Sequence, residues 1–366
     1  MAVILFIVIL VVLIVGHEAG HFVAAKLSGM KVPEFGLGFP PKLWGKKIGK
    51  TEYTVNLLPL GGFVKIYGED PSETEVSADT SDAFFKRPKV LQAATLIAGP
   101  FMNILLAFLL SATAFMVGVP AALDSGYNPA DIHGVEVTII DVLPHSPAAT
   151  AGILAGDRVV SVLADGRTNA ITNPDALSGA ISSASGEVTL NLIRSGKPLS
   201  IAITPQKNVV LDAPQQPAIG VATAAVGTLS LSFFDAVAAG FSDTIQNALA
   251  ILTGLVSLIA SAFTLSANLS SVSGPVGIAG LVGDAARFGL GSLLSFAALI
   301  SINLGIINLF PFPALDGGRL ALLAVETVIR RPVPPKIANA INAVGFAALI
   351  ILMVVVTAHD VLRLVA

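Results

Sequence analysis

Cysteine is absent from all 366 residues, which excludes disulfides, iron–sulfur clusters and Cys-ligated zinc. Any metal must be held by His, Asp or Glu. Charge is scarce as well: only 12% of residues are Asp, Glu, Lys or Arg, about half of the ~25% usual in soluble domains. The 21 basic and 24 acidic residues nearly cancel, so no basic field exists to hold nucleic acid, and a DNA or RNA partner is disfavoured. What fills the chain is apolar, with 54% hydrophobic residues and a mean hydropathy of +0.81. That composition points to a membrane protein whose length also allows one domain of roughly a hundred residues outside the bilayer.

Four segments are long and apolar enough to span a hydrocarbon core about 30 Å thick: residues 1–28, 90–119, 288–313 and 338–364. The first has no basic residue before its apolar run and no small-residue cleavage site, so it reads as a span and not as a secretory signal. Ten Lys and Arg lie between Lys26 and Lys89, against five in the longer stretch 120–229. The excess marks the first loop as cytoplasmic, and Arg319, Arg330, Arg331 and Lys336 repeat the signal after the third span. Both termini and the middle of the chain then face outward. Residues 230–264 are apolar enough to suggest a fifth span. However, Asp235, Ser242, Gln246, Thr253 and Ser257 gather in one narrow stripe at about 100° per residue, so an amphipathic helix on the outer face is expected instead.

Between residues 130 and 207 the composition turns soluble. Strands are expected over 134–142 and 157–163, a short helix over 146–152, and a helix opened by Asn173-Pro174 over 173–184. A hairpin over 187–193 and 199–204 turns at Ser195-Gly196-Lys197-Pro198. The run Ser146-Pro-Ala-Ala-Thr-Ala-Gly-Ile-Leu-Ala-Gly-Asp-Arg-Val-Val-Ser-Val162 resembles the bacterial PDZ domain. That resemblance implies a groove between a strand and a helix that takes peptide termini by strand addition; a PDZ-shaped spacer without a ligand is the alternative. Residues 31–68 read as short strands over 42–48, 51–58 and 62–67, the first two joined by a Gly49-Lys50 turn.

The strongest signal is His17-Glu18-Ala19-Gly20-His21. With five His and nine Glu in the chain, chance expects about 0.002 such motifs. Four residues along a helix advance about 400°, so both imidazoles project from one face, a turn apart, at a spacing that suits one zinc ion. Glu18 sits beside them, within reach of a metal-bound water. These ionisable groups interrupt an apolar span, where such groups are functional by default. A catalytic zinc takes three protein ligands and keeps one position open. Among carboxylates at the ends of other spans, Asp316 stands out, within Asn308-Leu-Phe-Pro-Phe-Pro-Ala-Leu-Asp-Gly-Gly318. The prolines at 311 and 313 break the helix, which a membrane tolerates only inside protein or beside a water-filled cavity. Glu326 and Asp360 compete in less specialised contexts, and His133, His145 and His359 stand alone as surface or loop histidines.

These two motifs together resemble the site-2 protease family of intramembrane zinc metalloproteases, in its bacterial RseP-like branch that regulates sigma-E. Phe35-Gly-Leu-Gly-Phe39, Leu60-Gly-Gly-Phe-Val-Lys65 and Ser273-Gly-Pro-Val-Gly-Ile-Ala279 extend the similarity along the chain. One departure is that several members carry two tandem PDZ domains, whereas here there is room for one. The resemblance implies a polytopic α-helical membrane protein of about four transmembrane helices, with a re-entrant β-sheet on the cytoplasmic side and one extracytoplasmic α/β PDZ domain. It implies one zinc ion on His17, His21 and Asp316, Glu18 as base, Asn308 on the substrate carbonyl or oxyanion, and Asn303 holding the substrate strand. The edge strand at Gly62, Phe63 and Val64 would pair with a single-pass transmembrane substrate, such as a pre-trimmed anti-sigma factor in the bacterial inner membrane among its lipids. A helix C-cap is the competing reading for Asn308, and an interhelical hydrogen bond for Asn303. A metal-ion transporter and a catalytically silent PDZ scaffold are the competing functions.

Overall fold

The computed structural model describes residues 2–69, 81–194, 196–209, 214–264 and 274–365. Ser195, in the expected hairpin turn, and Ser273, at the head of its motif, lie outside them. In chain order the elements are α1 (Ala2–Leu27), β1 (Glu34–Ile48), β2 (Thr51–Lys65), α2 (Lys89–Val117), β3 (Val119–Ala122), β4 (Ile132–Val142), α3 (Pro147–Thr150), β5 (Arg158–Ala164), β6 (Arg167–Ala170), α4 (Pro174–Ser182), β7 (Val188–Arg194), β8 (Lys197–Ile203), β9 (Val221–Leu229), α5 (Phe233–Phe263), α6 (Pro275–Arg287), α7 (Leu290–Leu309), α8 (Asp316–Ile329) and α9 (Pro335–Val365). They form two compact units: Met1–Thr113 with Val237–Ala285 and Leu293–Ala366, and Ala114–Ala236 with Ala286–Ser292.

In the first unit α1 is helical despite a run rich in Val and Ile, because an apolar surrounding leaves the backbone no partner but itself. Five helices, α1, α2, α5, α7 and α9, are long and apolar enough to cross a membrane, where four were expected. The addition is α5, expected to lie on an outer face; it runs antiparallel along α2 instead. A β-carbon on Gly240 would strike the backbone of Ala112, Ser111 donates to Asp243, and the Phe108 and Phe241 rings meet edge-on at 6.2 Å. Further along, Ala248 and Ile251 join Ala107, Ala298 and Ile302 in one apolar cluster. Within the exposed polar stripe Gln246 donates to Ser242 at 2.9 Å and Thr253 to the Leu249 carbonyl at 2.9 Å.

The chain then returns to the level at which α1 begins. Asp360, near the end of α9, accepts the Gly274 and Gly277 amides at 3.1 and 2.8 Å as α6 opens, and Gly283 of α6 lies against Ala2. Ala2 stands about 22 Å along α1 from His17, at 1.5 Å per residue. From there α7 descends antiparallel to α2, with Gly305 seated against the Pro100 carbonyl, and carries the chain to Asp316.

The β1–β2 hairpin folds on itself. Residues 45–48 pair with 51–54, while Glu34 to Leu37 pair with both 52–55 and 62–65, so the sheet gains a central strand from β1 that the sequence patterning did not suggest. The second unit is a seven-stranded sheet in the order β3-β9-β4-β5-β7-β8, with β6 on β5. Its core is Val137, Ile139, Val162, Leu190 and Leu192, closed by Leu177 and Ile181 of α4. Ser146 and Asn173 cap α3 and α4 through Ala149 and Ala176, as such residues do at helix starts. The sheet is wider than residues 130–207, because β3 and β9 complete it.

Candidate metal centre

His17 and His21 lie on one face of α1, 8% and 6% exposed, where α2 approaches closely. A β-carbon on Gly20 would meet the Ala98 carbonyl, and one on Gly99 would enter the His21 ring. Small residues at such a crossing let the backbones come together. His21 Nδ1 donates to the Thr95 carbonyl at 2.8 Å, which fixes the tautomer and leaves Nε2 as the lone-pair atom. His17 Nδ1 is 3.2 Å from the side-chain amide of Asn103. With the amide oxygen turned to the ring, Nδ1–H is held and Nε2 of His17 is free in the same way. The backbone carbonyl of Asn103 accepts from Ser301 of α7 at 2.7 Å, tying three helices at this depth.

Asp316 arrives from below. It does not end the span expected over 288–313, now α7, but opens a separate helix, α8, after a turn at Phe310 to Leu315. In that turn Ala314 takes a left-handed conformation at φ 73°, and its amide faces the Asn342 side chain at 3.4 Å. Gly317 and Gly318 are pressed against the carbonyls of Leu309, Phe310 and Phe312 with no room for a β-carbon. Leu320 and Leu323 of α8 then pack with Ala25, Met30, Ile66 and Leu96. The result places Asp316 Oδ2 at 3.0 Å from His17 Nε2 and 3.2 Å from His21 Nε2, with the two Nε2 atoms 3.2 Å apart. Two imidazole lone pairs and one carboxylate oxygen converging within 4.8 Å match the donor set and spacing of a catalytic zinc site.

Glu18 is one residue from the first histidine, and its Oε2 accepts the Val64 amide at 3.0 Å. The strand segment that holds it includes Gly62, which lies against the Glu18 side chain, and Phe63, whose ring covers Gly36. Asn308 is half-buried in the last turn of α7, eight residues before Asp316. Asn303 donates to the Leu299 carbonyl of its own helix at 3.0 Å. The competing carboxylates have other tasks: Glu326 pairs with Lys89 at 2.5 Å and Asp360 caps α6. Sequence reasoning missed Asn103, Thr95 and the Glu69–Arg319 ion pair. A polar Asn103 after Gly99-Pro100 inside an apolar span was a readable signal. Burial raises the Glu69 carboxyl above its ordinary range, and Arg319 opposes that shift.

Residues 5–352 match peptidase family M50. The chain is similar to zinc metalloprotease RasP of Geobacillus kaustophilus, at 31% identity over 98% of this chain and 97% of that protein. It is also similar to proteins named as candidate zinc metalloproteases in Clostridium perfringens, at 35% identity over 96% of this chain and 95% of the relative, and in Nostoc, at 32% over 96% and 93%. Among solved structures, the PDZ domain of an SdrC-like protein from Listeria innocua covers 24% of this chain and 92% of its own, at 23% identity and a TM-score of 0.20.

Proposed function

This chain belongs to peptidase family M50 and is an intramembrane zinc metalloprotease, and from that premise we propose which residues perform the reaction and on what. His17 and His21 through Nε2, and Asp316 through a carboxylate oxygen, would hold one zinc ion. Zinc bound there would supply Lewis-acid polarisation of the scissile carbonyl and a more acidic water. Glu18 is the general base: one of its oxygens is fixed by Val64 N–H, and the other takes a proton from the attacking water and passes it to the leaving amine. Asn308 donates to the developing oxyanion, and the side-chain amide oxygen of Asn303, whose amide nitrogen donates to the Leu299 carbonyl, accepts from the substrate backbone.

The substrate is the transmembrane segment of a single-pass membrane protein. Its amides are bonded internally and must be unwound before a peptide bond is attacked. Residues 62–65 pair with β1 on one edge, and on the other the Val64 amide points to Glu18 and not into a ladder. Gly62, Phe63 and Val64 thus offer the unwound strand a partner beside the base. The convergence of His17, His21 and Asp316 from sequence positions 299 and 295 residues apart carries this reading. Detergent-purified protein should cleave a model transmembrane peptide, lose that activity to a chelator and recover it with zinc. Cleavage that survives complete zinc removal would overturn the reading.

The basic first loop faces the cytoplasm and the β-domain faces outward, in a bacterial inner membrane. The β-domain acts as a PDZ module. Among the described residues β9 pairs with β4 along its length but with β3 only through residues 226–229, so the outer edge of 221–224 is open for a peptide terminus beside α4. This module selects substrates already trimmed outside, such as an anti-sigma factor. Because α6 returns the chain to the level of Ala2, Ser232→Cys and Phe288→Cys in this cysteine-free chain should both react with an impermeant thiol reagent from outside. Lys47→Cys and Arg331→Cys should not. Protection of Phe288→Cys alone would reverse the direction assigned to α7.

A further inference from the structure

We propose that the Glu69–Arg319 ion pair is a positioning strap that sets the third metal ligand against the strand holding the base. The need for one is visible at α8. Its first turn has no side-chain cap, since Leu315 at the N-cap carries no acceptor, and the Asp316 carboxylate that opens the helix is turned to the histidines. Arg319, three residues on and so on the same face, donates to the Glu69 carboxylate. Glu69 follows β2 closely: its amide bonds the Ile66 carbonyl at 3.2 Å, and Ile66 is buried against Leu320 and Leu323 of α8. Two residues before Ile66, Val64 holds Glu18. A closed path therefore runs from Glu18 through Val64, Ile66, Glu69 and Arg319 to Asp316 and back through the histidines. Neither strap residue touches the donor atoms.

The exposure of the pair indicates what it does. The Arg319 side chain is 40% exposed and Glu69 16%, and both line a cavity of about 810 Å³ that also includes Gln92, Glu326 and Arg330. A partly solvated pair contributes little to stability, so its worth lies in geometry. Groups that orient metal ligands cost about 10- to 100-fold in metal affinity or activity when removed.

This inference rests on the metal-centre reading and is tested with the full-length protein in detergent. Glu69→Gln, Arg319→Gln and the double variant are compared with Glu69→Asp and Arg319→Lys. The measurements are zinc affinity against a competing chelator, kcat and KM on a transmembrane peptide, and the unfolding midpoint. Each single neutral variant should weaken zinc binding and lower kcat by about 10- to 100-fold, with KM and the unfolding midpoint within error of the parent. The double variant should lose no more than either single, since both remove one device, and Arg319→Lys should recover most of the loss. Losses that multiply in the double variant, or that follow the unfolding midpoint, would overturn the strap, as would parental kinetics in both singles. If the parent itself neither binds zinc nor cleaves, the metal-centre reading fails instead.

Discussion

The helical unit and the β-domain bury polar groups by different rules. In the helical unit His17, His21, Asn103 and Ser301 are all interior, and their partners lead to one another and to Asp316. In the β-domain the interior is Val137, Ile139, Val162, Leu190 and Leu192, and Asp157 is the one charged residue in the buried set. Its oxygens are taken by Arg194 at 2.7 and 2.6 Å and by the Leu154 amide at 3.0 Å, so it fastens a turn to a strand and faces no ligand. Polar atoms cost several kcal/mol in a medium that cannot hydrogen-bond them; inside the apolar helices Ser111 and Asp360 fasten one helix to another, whereas His17, His21 and Asn103 converge on the metal centre. In a domain surrounded by water the same burial serves architecture.

The comparison is broken most directly at Asp316. Asp316→Ala leaves two imidazoles in an apolar site, and zinc binding and cleavage should both fall below detection; full occupancy with normal cleavage would move the third ligand elsewhere. Asn103→Ala frees the His17 ring and should cost about 10- to 100-fold in zinc affinity, measured by chelator competition. An effect confined to thermal stability would make Asn103 architectural, like Asp157. Leu190→Ala removes a fully buried side chain from the β-domain and should cost about 2–5 kcal/mol of that domain's stability in denaturant. Zinc affinity should change by less than about twofold, since Leu190 and the metal ligands belong to different compact units with no shared partner; a matching drop in zinc affinity would mean the two units do not obey separate rules.

What was legible in the sequence follows the same division. His17, Glu18 and His21 announce themselves because nothing else in α1 before Lys26 is charged. Asp316 was found from its prolines, yet α8 was not. The prolines at 311 and 313 read as breakers, and nothing in the local pattern showed that Gly317 and Gly318 let α8 lie on the carbonyls of the preceding turn. The stripe on α5 does mark an exposed face, but periodicity does not report that the rest of the helix packs along α2. The central strand of the β1–β2 sheet was missed behind Gly36 and Gly38, and β9, an Ala- and Thr-rich segment, gains its place only by pairing with β3 and β4, which lie far earlier in the chain. Local pattern carries no record of such partners. Asn103 and Glu69 act through other residues, so no spacing rule pointed to them.

The central claim is that Glu18 moves protons while His17, His21 and Asp316 hold the metal. It is tested most directly by measuring bound zinc and peptide cleavage side by side in Glu18→Gln, a change that preserves shape and removes only the basic oxygen. The account predicts one zinc per chain, as in the parent, with cleavage reduced by at least about a thousandfold, within the range expected for loss of a positioned general base. Cleavage within tenfold of the parent, or loss of the zinc itself, would contradict it.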